Sequence, residues 1–297
     1  MTATVEALAF AEEMRRMCKE NDDKRDAGLP TTLPTVKRHN NIVYGTDEKW
    51  QSLDVYLPAK GNEEPLPTII NIHGGGWVYG TKETYQFYAM SLAEMGFAIV
   101  NFNYRLPTLV EFPGELDDVN RVFHWVSTHA NEFPFDLEHV FVVGDSAGGQ
   151  MALQYLTIMT NDNYRKKFGY DKPSLQVRAA ALNCAASFIN HSDVINGAPA
   201  AYFTEEAKKK HPYWGDTEQY LTTDLPPLFL MTSNHDFIRD MTVRLDGYLL
   251  AKGIFHEFHS YGDEDHPREH VFHCNIKDSL ARTCNEEEMA FFKRYLN

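Results

Sequence analysis

The chain has no run of about 18 apolar residues, so no segment reads as a bilayer-spanning helix. Its four cysteines, Cys18, Cys184, Cys274 and Cys284, form no C-x-x-C pair. They therefore read as reduced thiols, and neither a disulfide framework nor a cysteine-bound zinc is expected. Positive charge is in short supply: 28 Lys and Arg stand against 42 Asp and Glu, a net charge of −14. That balance argues against nucleic acid and anionic membranes as partners, because phosphate-rich surfaces are bound by basic ones. H-E-x-x-H is absent, and His256, Glu257 and His259 fall in a strand-like stretch, so no metal site and no cofactor is expected. At the N-terminus Glu6, Glu12, Glu13, Arg15, Arg16 and Lys19 interrupt the apolar positions. Nothing there resembles a secretory leader, and a cytoplasmic location is the expectation.

What is present is the composition of a globular enzyme-sized domain: 297 residues, 43% apolar and 24% charged. One domain over 1–297 fits better than two. Residues 1–36 open with helical apolar spacing at Val5, Leu8, Ala9, Phe10, Met14 and Met17. A polar stretch, Glu20–Asp26, and an irregular connection with Gly28, Pro30 and Pro34 follow. Ile42–Tyr44 and Leu53–Leu57 read as a hairpin. Thr68–His73, Ala98–Asn103, Val140–Gly144, Val177–Asn183, Leu228–Ser233 and Phe255–His259 read as strands. The helices expected between and after them are Glu83–Met95, Asp117–His129, Ala147–Thr160, Met241–Lys252 and Glu286–Leu296. Such alternation implies an α/β fold, a mainly parallel sheet with helices on both faces. Residues 185–225 break the rhythm with Asn, Gly, Pro and aromatics. An insertion there follows a strand's carboxyl end, where open α/β sheets bind ligands, so a cap over the site is expected, to which the N-terminal segment could contribute.

Two glycine motifs carry chemistry. Gly144-Asp145-Ser146-Ala147-Gly148 is G-x-S-x-G, extended by Gly149. It lies between the apolar run Val140–Val143 and a helix-periodic set at Met151, Ala152, Tyr155 and Leu156. A strand–turn–helix is the context that lifts a serine hydroxyl above a sheet, with glycines where side chains would strike neighbouring backbone. His73-Gly74-Gly75-Gly76-Trp77 follows the strand Thr68–Ile72. A glycine run can aim backbone N–H groups at the negative oxygen of a tetrahedral intermediate. A phosphate loop would need Lys-Ser/Thr where Trp77 and Val78 stand.

Together His73–Trp77 and Gly144–Gly149 resemble the hormone-sensitive-lipase-like carboxylesterases of the α/β-hydrolase fold, a branch with bacterial acetyl, feruloyl and acetyl-xylan esterases. The resemblance spans about residues 40–295 and includes Asn103-Tyr104-Arg105-Leu106. It implies a serine carboxylic ester hydrolase working on small or short-acyl esters, with acetyl and feruloyl esters of plant cell-wall carbohydrate among the candidates. By family position Gly75, Gly76 and Ala147 would supply the oxyanion hole, and His73 would order the glycine loop.

Serine needs a base, and the base an orienting carboxylate, in the chain order Ser, Asp or Glu, His. Asp236, just past Leu228–Ser233, matches the family's acid position; Asp240 is the competitor. Ser233-Asn234-His235 departs from the glycine common there. For the base, His256 and His259 fall in a strand, and His266 sits among Asp263, Glu264 and Asp265. His270-Val271-Phe272 matches the family's H-x-F, which puts His270 first and His273 next. Trp77, Tyr213 and Trp214 are candidate substrate contacts, since cap aromatics, Tyr202 and Phe203 included, can stack on sugar or phenolic rings; they can equally form cap core. An arylformamidase shares a similar H-G-G-x-W stretch, and a ligand-binding protein on this fold is the non-catalytic alternative. A homo-oligomer stays open.

Overall fold

A computed structural model describes residues 3–60, 64–191 and 193–296. Its strands are β1 (Val36–Val43), β2 (Ser52–Pro58), β3 (Leu66–Ile72), β4 (Ala98–Phe102), β5 (Phe135–Asp145), β6 (Val177–Asn183), β7 (Leu228–Ser233) and β8 (His256–Tyr261). They form one sheet in the order β1-β2-β4-β3-β5-β6-β7-β8. β1 pairs antiparallel with β2, and β2 with β4; every other pairing is parallel. The expected hairpin is therefore β1–β2. Its first strand starts six residues earlier than the apolar signal at Ile42, because on the sheet edge half of its residues face solvent and carry polar side chains.

The central strands are buried on both faces, and their period of two sends alternate residues to two cores. In β5, Val140 and Val142 join one cluster, Phe141 and Val143 the other; in β7, Leu228 and Leu230 oppose Phe229 and Met231. The first core is closed by α3 (Gly114–Thr128), α4 (Ser146–Thr160) and α7 (Arg239–Lys252). The second is closed by α2 (Gln86–Glu94) and α8 (Ser279–Lys293). α5 (Asp162–Phe168) was not expected from the sequence. It is one short turn pair, capped by Asn161 and stopped by Gly169 in the left-handed conformation.

α1 (Val5–Asp26) runs a full two turns beyond its apolar spacing. Its polar end is held by ion pairs one turn apart, Arg16–Glu20 at 2.8 Å, Lys19–Asp23 at 2.7 Å and Arg25–Asp22 at 2.9 Å. The helix buries only Ala7 and Ala11, against Val78, Ala198 and Ala201. Arg15 Nε donates to Val78 O at 2.7 Å, and Tyr79 Oη to Asp22 at 2.8 Å, so α1 is tied to the loop that follows β3. Between β6 and β7, residues 185–225 form short helical turns at Ile189–His191, Asp193–Ile195, Ala198–Ala201 and Thr217–Tyr220 and one helix, α6 (Glu205–Lys210). No helix among the described residues is long and apolar enough to cross a membrane.

A buried acid joins the sheet to α8. Glu288 accepts from Asn183 Nδ2 at 2.9 Å and Tyr88 Oη at 3.3 Å. Burial pushes its pKa up to about 7, and the two hydrogen bonds offset this only in part. Unfolded, the same carboxyl releases its proton near the ordinary value of 4.5. Between these values the folded state holds the extra proton, so stability falls as pH rises through the window. In Glu288→Gln, which stays neutral, that fall is expected to shrink, narrowing the drop in Tm between pH 5 and pH 8 by a few degrees, on the order expected for a chain of this size. Parallel Tm profiles for the two proteins would contradict the assignment.

Candidate active site

β5 ends at Asp145 and α4 begins at Ser146, with no residue between. Ser146 takes φ = 51°, a conformation that side chains adopt only when surrounding structure forces it. The force is close packing. A Cβ on Gly148 would lie 2.1 Å from Ile72 O, and one on Gly144 2.5 Å from Gly148 O. The first turn of α4 is thus pressed onto the end of β3, and the serine sits on a sharp strand-to-helix corner.

The glycine loop leaves β3 at that same point. Gly75, Gly76 and Trp77 have φ of 123°, 58° and 57°. A Cβ on Gly75 would meet Tyr79 O at 2.1 Å. The loop is pinned from both sides. Its first glycine donates N–H to Tyr85 Oη at 3.1 Å, and that hydroxyl donates to Asp145 Oδ2 at 2.7 Å, linking loop to elbow. Burial raises the Asp145 pKa to about 6 against the lowering effect of Tyr85. His73 is fully buried, stacked on Tyr104 at 4.0 Å, with Nδ1 2.8 Å from Gly74 O. Burial lowers its pKa to about 4, so it is a neutral donor to the loop at neutral pH.

Ser146 Oγ lies 2.9 Å from His270 Nε2, and His270 Nδ1 lies 2.6 Å from Asp236 Oδ1. Asp236 follows β7 and has a fully buried carboxylate. Burial alone would raise its pKa. The hydrogen bond from His270, with Ile238 N and Thr232 Oγ1 donating at 3.1 and 2.9 Å, more than offsets that and holds the carboxyl below its usual range. The residues that depart from the family glycine do the docking of the histidine loop. Asn234 Oδ1 accepts from Arg268 N at 2.9 Å, His235 N donates to Arg268 O at 2.9 Å, and Ser233 Oγ donates to Glu269 O at 2.9 Å.

The competing residues are placed elsewhere. His273 is fully buried against Tyr88, and burial lowers its pKa to about 3. His256 pairs with Asp246 at 2.9 Å, His259 stacks on Phe229, and His266 is exposed beside Asp263. Asp240 is exposed in the first turn of α7. Among the described residues, the His, Cys and carboxylate cluster with ligand-like spacing is Cys184, Asp236 and His270, the Asp–His pair itself with a buried thiol beside it.

Ser146 and His270 open on a cavity of about 830 Å³. Gly75, Gly76 and Trp77 border it, while Ala147 lies buried behind Ser146. The Trp77 indole is buried and donates to Gln150 Oε1 at 3.1 Å. The expectation that Tyr213 and Trp214 contact substrate is corrected: neither borders the cavity. Tyr213 packs on Phe168 and donates to Lys167 O at 2.6 Å, and Trp214 packs on Phe203 and under Lys208. These aromatics are spent on fastening the insertion, Trp214 to its own Phe203 and Tyr213 to α5. The walls come instead from Val194, Asn196 and Pro199, and from α1 through Met14, Cys18, Asn21 and Arg25. The α1 set has spacing 14, 18, 21, 25, one face of a helix, and that stripe was the signal available in the sequence.

A parallel-centred sheet with a serine elbow, a glycine loop beside it and a hydrogen-bonded Ser–His–Asp line defines an α/β-hydrolase fold. The chain belongs to the BD-FAE family, whose family model matches residues 53–239. It is similar to hormone-sensitive-lipase-like carboxylesterases. It is 28% identical over 207 residues to the probable carboxylic ester hydrolase LipM of Mycobacterium tuberculosis, covering 66% of this chain and 47% of that one. It is 28% identical to carboxylesterase NlhH of the same species, over 76% and 73% of the two chains. A solved structure of esterase B from Lactobacillus rhamnosis, inhibited by a tributyrin phosphonate, superposes with a TM-score of 0.87 at 26% identity, over 99% and 96% of the chains. The chain spans about a third to a half of the length of the first curated relatives it matches.

The elbow makes a direct prediction. Gly148→Ala sets a methyl group against two backbone carbonyls that cannot swing away, Ile72 O at 2.1 Å and His73 O at 2.4 Å. It should lower stability by about 3 kcal/mol, read as a lower urea midpoint at unchanged slope. A wild-type midpoint would show that the close approach does not exist.

Proposed function

We propose that the chain is a serine carboxylic ester hydrolase. The observation that carries this reading is the continuous line from Ser146 Oγ through the imidazole of His270 to the buried Asp236 carboxylate, at 2.9 and 2.6 Å. Ser146 Oγ attacks the acyl carbonyl while its proton passes to His270 Nε2. Asp236 holds the imidazole with its proton on Nδ1 and stabilises the imidazolium that forms. The amides of Gly75, Gly76 and Ala147 bind the oxyanion. The imidazolium then protonates the departing alcohol, and water, deprotonated by the same nitrogen, releases the acid from the acyl-enzyme.

The esterase names of the relatives and the left-handed, glycine-packed Ser146 support a turnover enzyme over a ligand-binding protein. Small or short-acyl esters are the proposed substrates, among them acetyl and feruloyl esters of cell-wall carbohydrate. The tributyrin-derived inhibitor of the esterase B neighbour agrees with a short acyl chain. The insertion 185–225 and α1 act together as the cap, because Val194 and Pro199 from the one and Met14 from the other all border the cavity.

Ser146→Ala is expected to abolish p-nitrophenyl butyrate hydrolysis and fluorophosphonate labelling while keeping the wild-type melting curve. His270→Ala should cost on the order of 10⁴-fold or more in kcat, whereas His273→Ala keeps its activity. The wild-type rate should fall as pH is lowered, since only neutral imidazole accepts the serine proton. An active, folded Ser146→Ala would overturn the mechanism. Turnover of N-formylkynurenine in preference to p-nitrophenyl acetate would replace the esterase by an arylformamidase on the same residues.

A further inference from the structure

One large apolar side chain keeps most of its surface outside the core. Phe237 follows Asp236 directly and is 73% exposed, although the residues on either side of it are buried. Its ring stands 4.4 Å from the imidazole of His270, tilted by 55°, and among the described residues it meets no other aromatic ring. It also borders the cavity that Ser146 opens on. A scattered exposed phenylalanine is unremarkable on a protein surface. One held against the base of an active site, with most of its surface open, presents apolar area to whatever enters.

The chemistry fixes which part of an ester that is. With the carbonyl oxygen held by the glycine loop and the carbonyl carbon above Ser146 Oγ, the leaving oxygen must come within hydrogen-bond reach of His270 Nε2 to receive its proton. The alcohol moiety therefore lies on the histidine side of the site. The acyl chain points away from it, towards the walls built by α1 and the insertion. There Met14 lies so close to the oxyanion loop that a Cβ on Gly76 would be 2.6 Å from its methyl carbon. On the histidine side the cavity is bordered by Phe237 and Ile238 from one loop and by Pro267 and Arg268 from the other. Arg268 is already paired with Asp278 at 2.6 Å, and the exposed Glu269 borders the cavity from the same loop, so Phe237 is the large, mostly exposed apolar face beside His270.

We propose that Phe237 is a specificity-determining residue: it forms the alcohol-side subsite and selects esters whose alcohol carries a flat face, an aromatic ring or the C–H face of a sugar, that stacks on it. This rests on the ester-hydrolase reading. The ring touches the leaving group and not the acyl group, so its removal changes discrimination among alcohols and leaves discrimination among acids alone.

The test uses three esters on the wild-type chain, Phe237→Ala and Phe237→Tyr: benzyl acetate, ethyl acetate and ethyl hexanoate. Benzyl alcohol and ethanol are both alkyl alcohols, so the first pair differs chiefly in the ring offered to Phe237. In Phe237→Ala the ratio of kcat/KM for benzyl over ethyl acetate should fall about five- to tenfold, mostly through KM, the size of one aromatic stacking contact. Phe237→Tyr should hold that ratio within about twofold, and the ratio of ethyl hexanoate to ethyl acetate should stay put in both variants. The proposal is overturned if the benzyl-to-ethyl ratio in Phe237→Ala stays at the wild-type value. It is equally overturned if the hexanoate-to-acetate ratio moves in its place, or if all three rates collapse together, which would make the ring only a support for His270. A wild-type chain that hydrolyses none of the three would overturn the ester-hydrolase reading itself, a result separate from any of these.

Discussion

Everything at this site hangs on the contact between the first turn of α4 and the end of β3. Gly148 lies so near Ile72 O and His73 O that no side chain fits between. That approach bends the chain at Ser146 into φ = 51°, lifts the hydroxyl off the sheet, and brings the glycine loop that leaves β3 alongside it. Ser146 and the glycine loop are thus positioned by one packing constraint, and two hydrogen bonds through Tyr85 fasten them. A site set by backbone approach is rigid in the manner that preorganised catalysis requires, since donors aimed beforehand need not reorganise during the reaction.

Burial then sorts the chain's histidines into roles. His73 and His273 are enclosed completely, and the cost of placing a charge there keeps both neutral, to about pH 4 and about pH 3. His270 differs by its neighbours. Its Nδ1 faces a buried carboxylate and its Nε2 faces the serine, with part of the ring open to the cavity. The carboxylate in turn keeps its charge in the interior because Thr232, Ile238 N and the imidazole all donate to it or lie beside it. A residue three positions along the same loop has none of these partners.

The cavity walls follow a different logic. α1 is mostly exposed and adds little to the core, yet one of its faces closes the site, tied down by Arg15 to Val78 O and by Tyr79 to Asp22. The insertion after β6 spends its large aromatics on packing away from the cavity, with Tyr213 against Phe168 of α5 and Trp214 on Phe203, and offers the cavity smaller residues such as Val194, Ala198 and Pro199. Aromatic content in such a segment is therefore a poor guide to what it contacts, because composition does not say which way a ring turns.

The sequence by itself determined the layered α/β architecture, the corner at Ser146 and the glycine loop. Strand periodicity, the apolar run Val140–Val143 and the spacing of Gly144, Gly148 and Gly149 are local, and local backbone sterics dictate what they become. It narrowed the Asp and His partners proposed for Ser146 to short lists, and a motif match ranked them. Tertiary structure decided the rest. Asp236 and His270 are 34 residues apart, and both are far in sequence from Ser146, so their meeting depends on β7 and β8 lying side by side and on Asn234 clasping the loop that carries the histidine. The same holds for the walls: Met14 reaches Gly76, and Phe237 reaches His270, only because separate elements are packed together. A pattern along one chain encodes the face a residue occupies on its own helix or strand; what stands opposite that face is fixed by packing between elements distant in sequence.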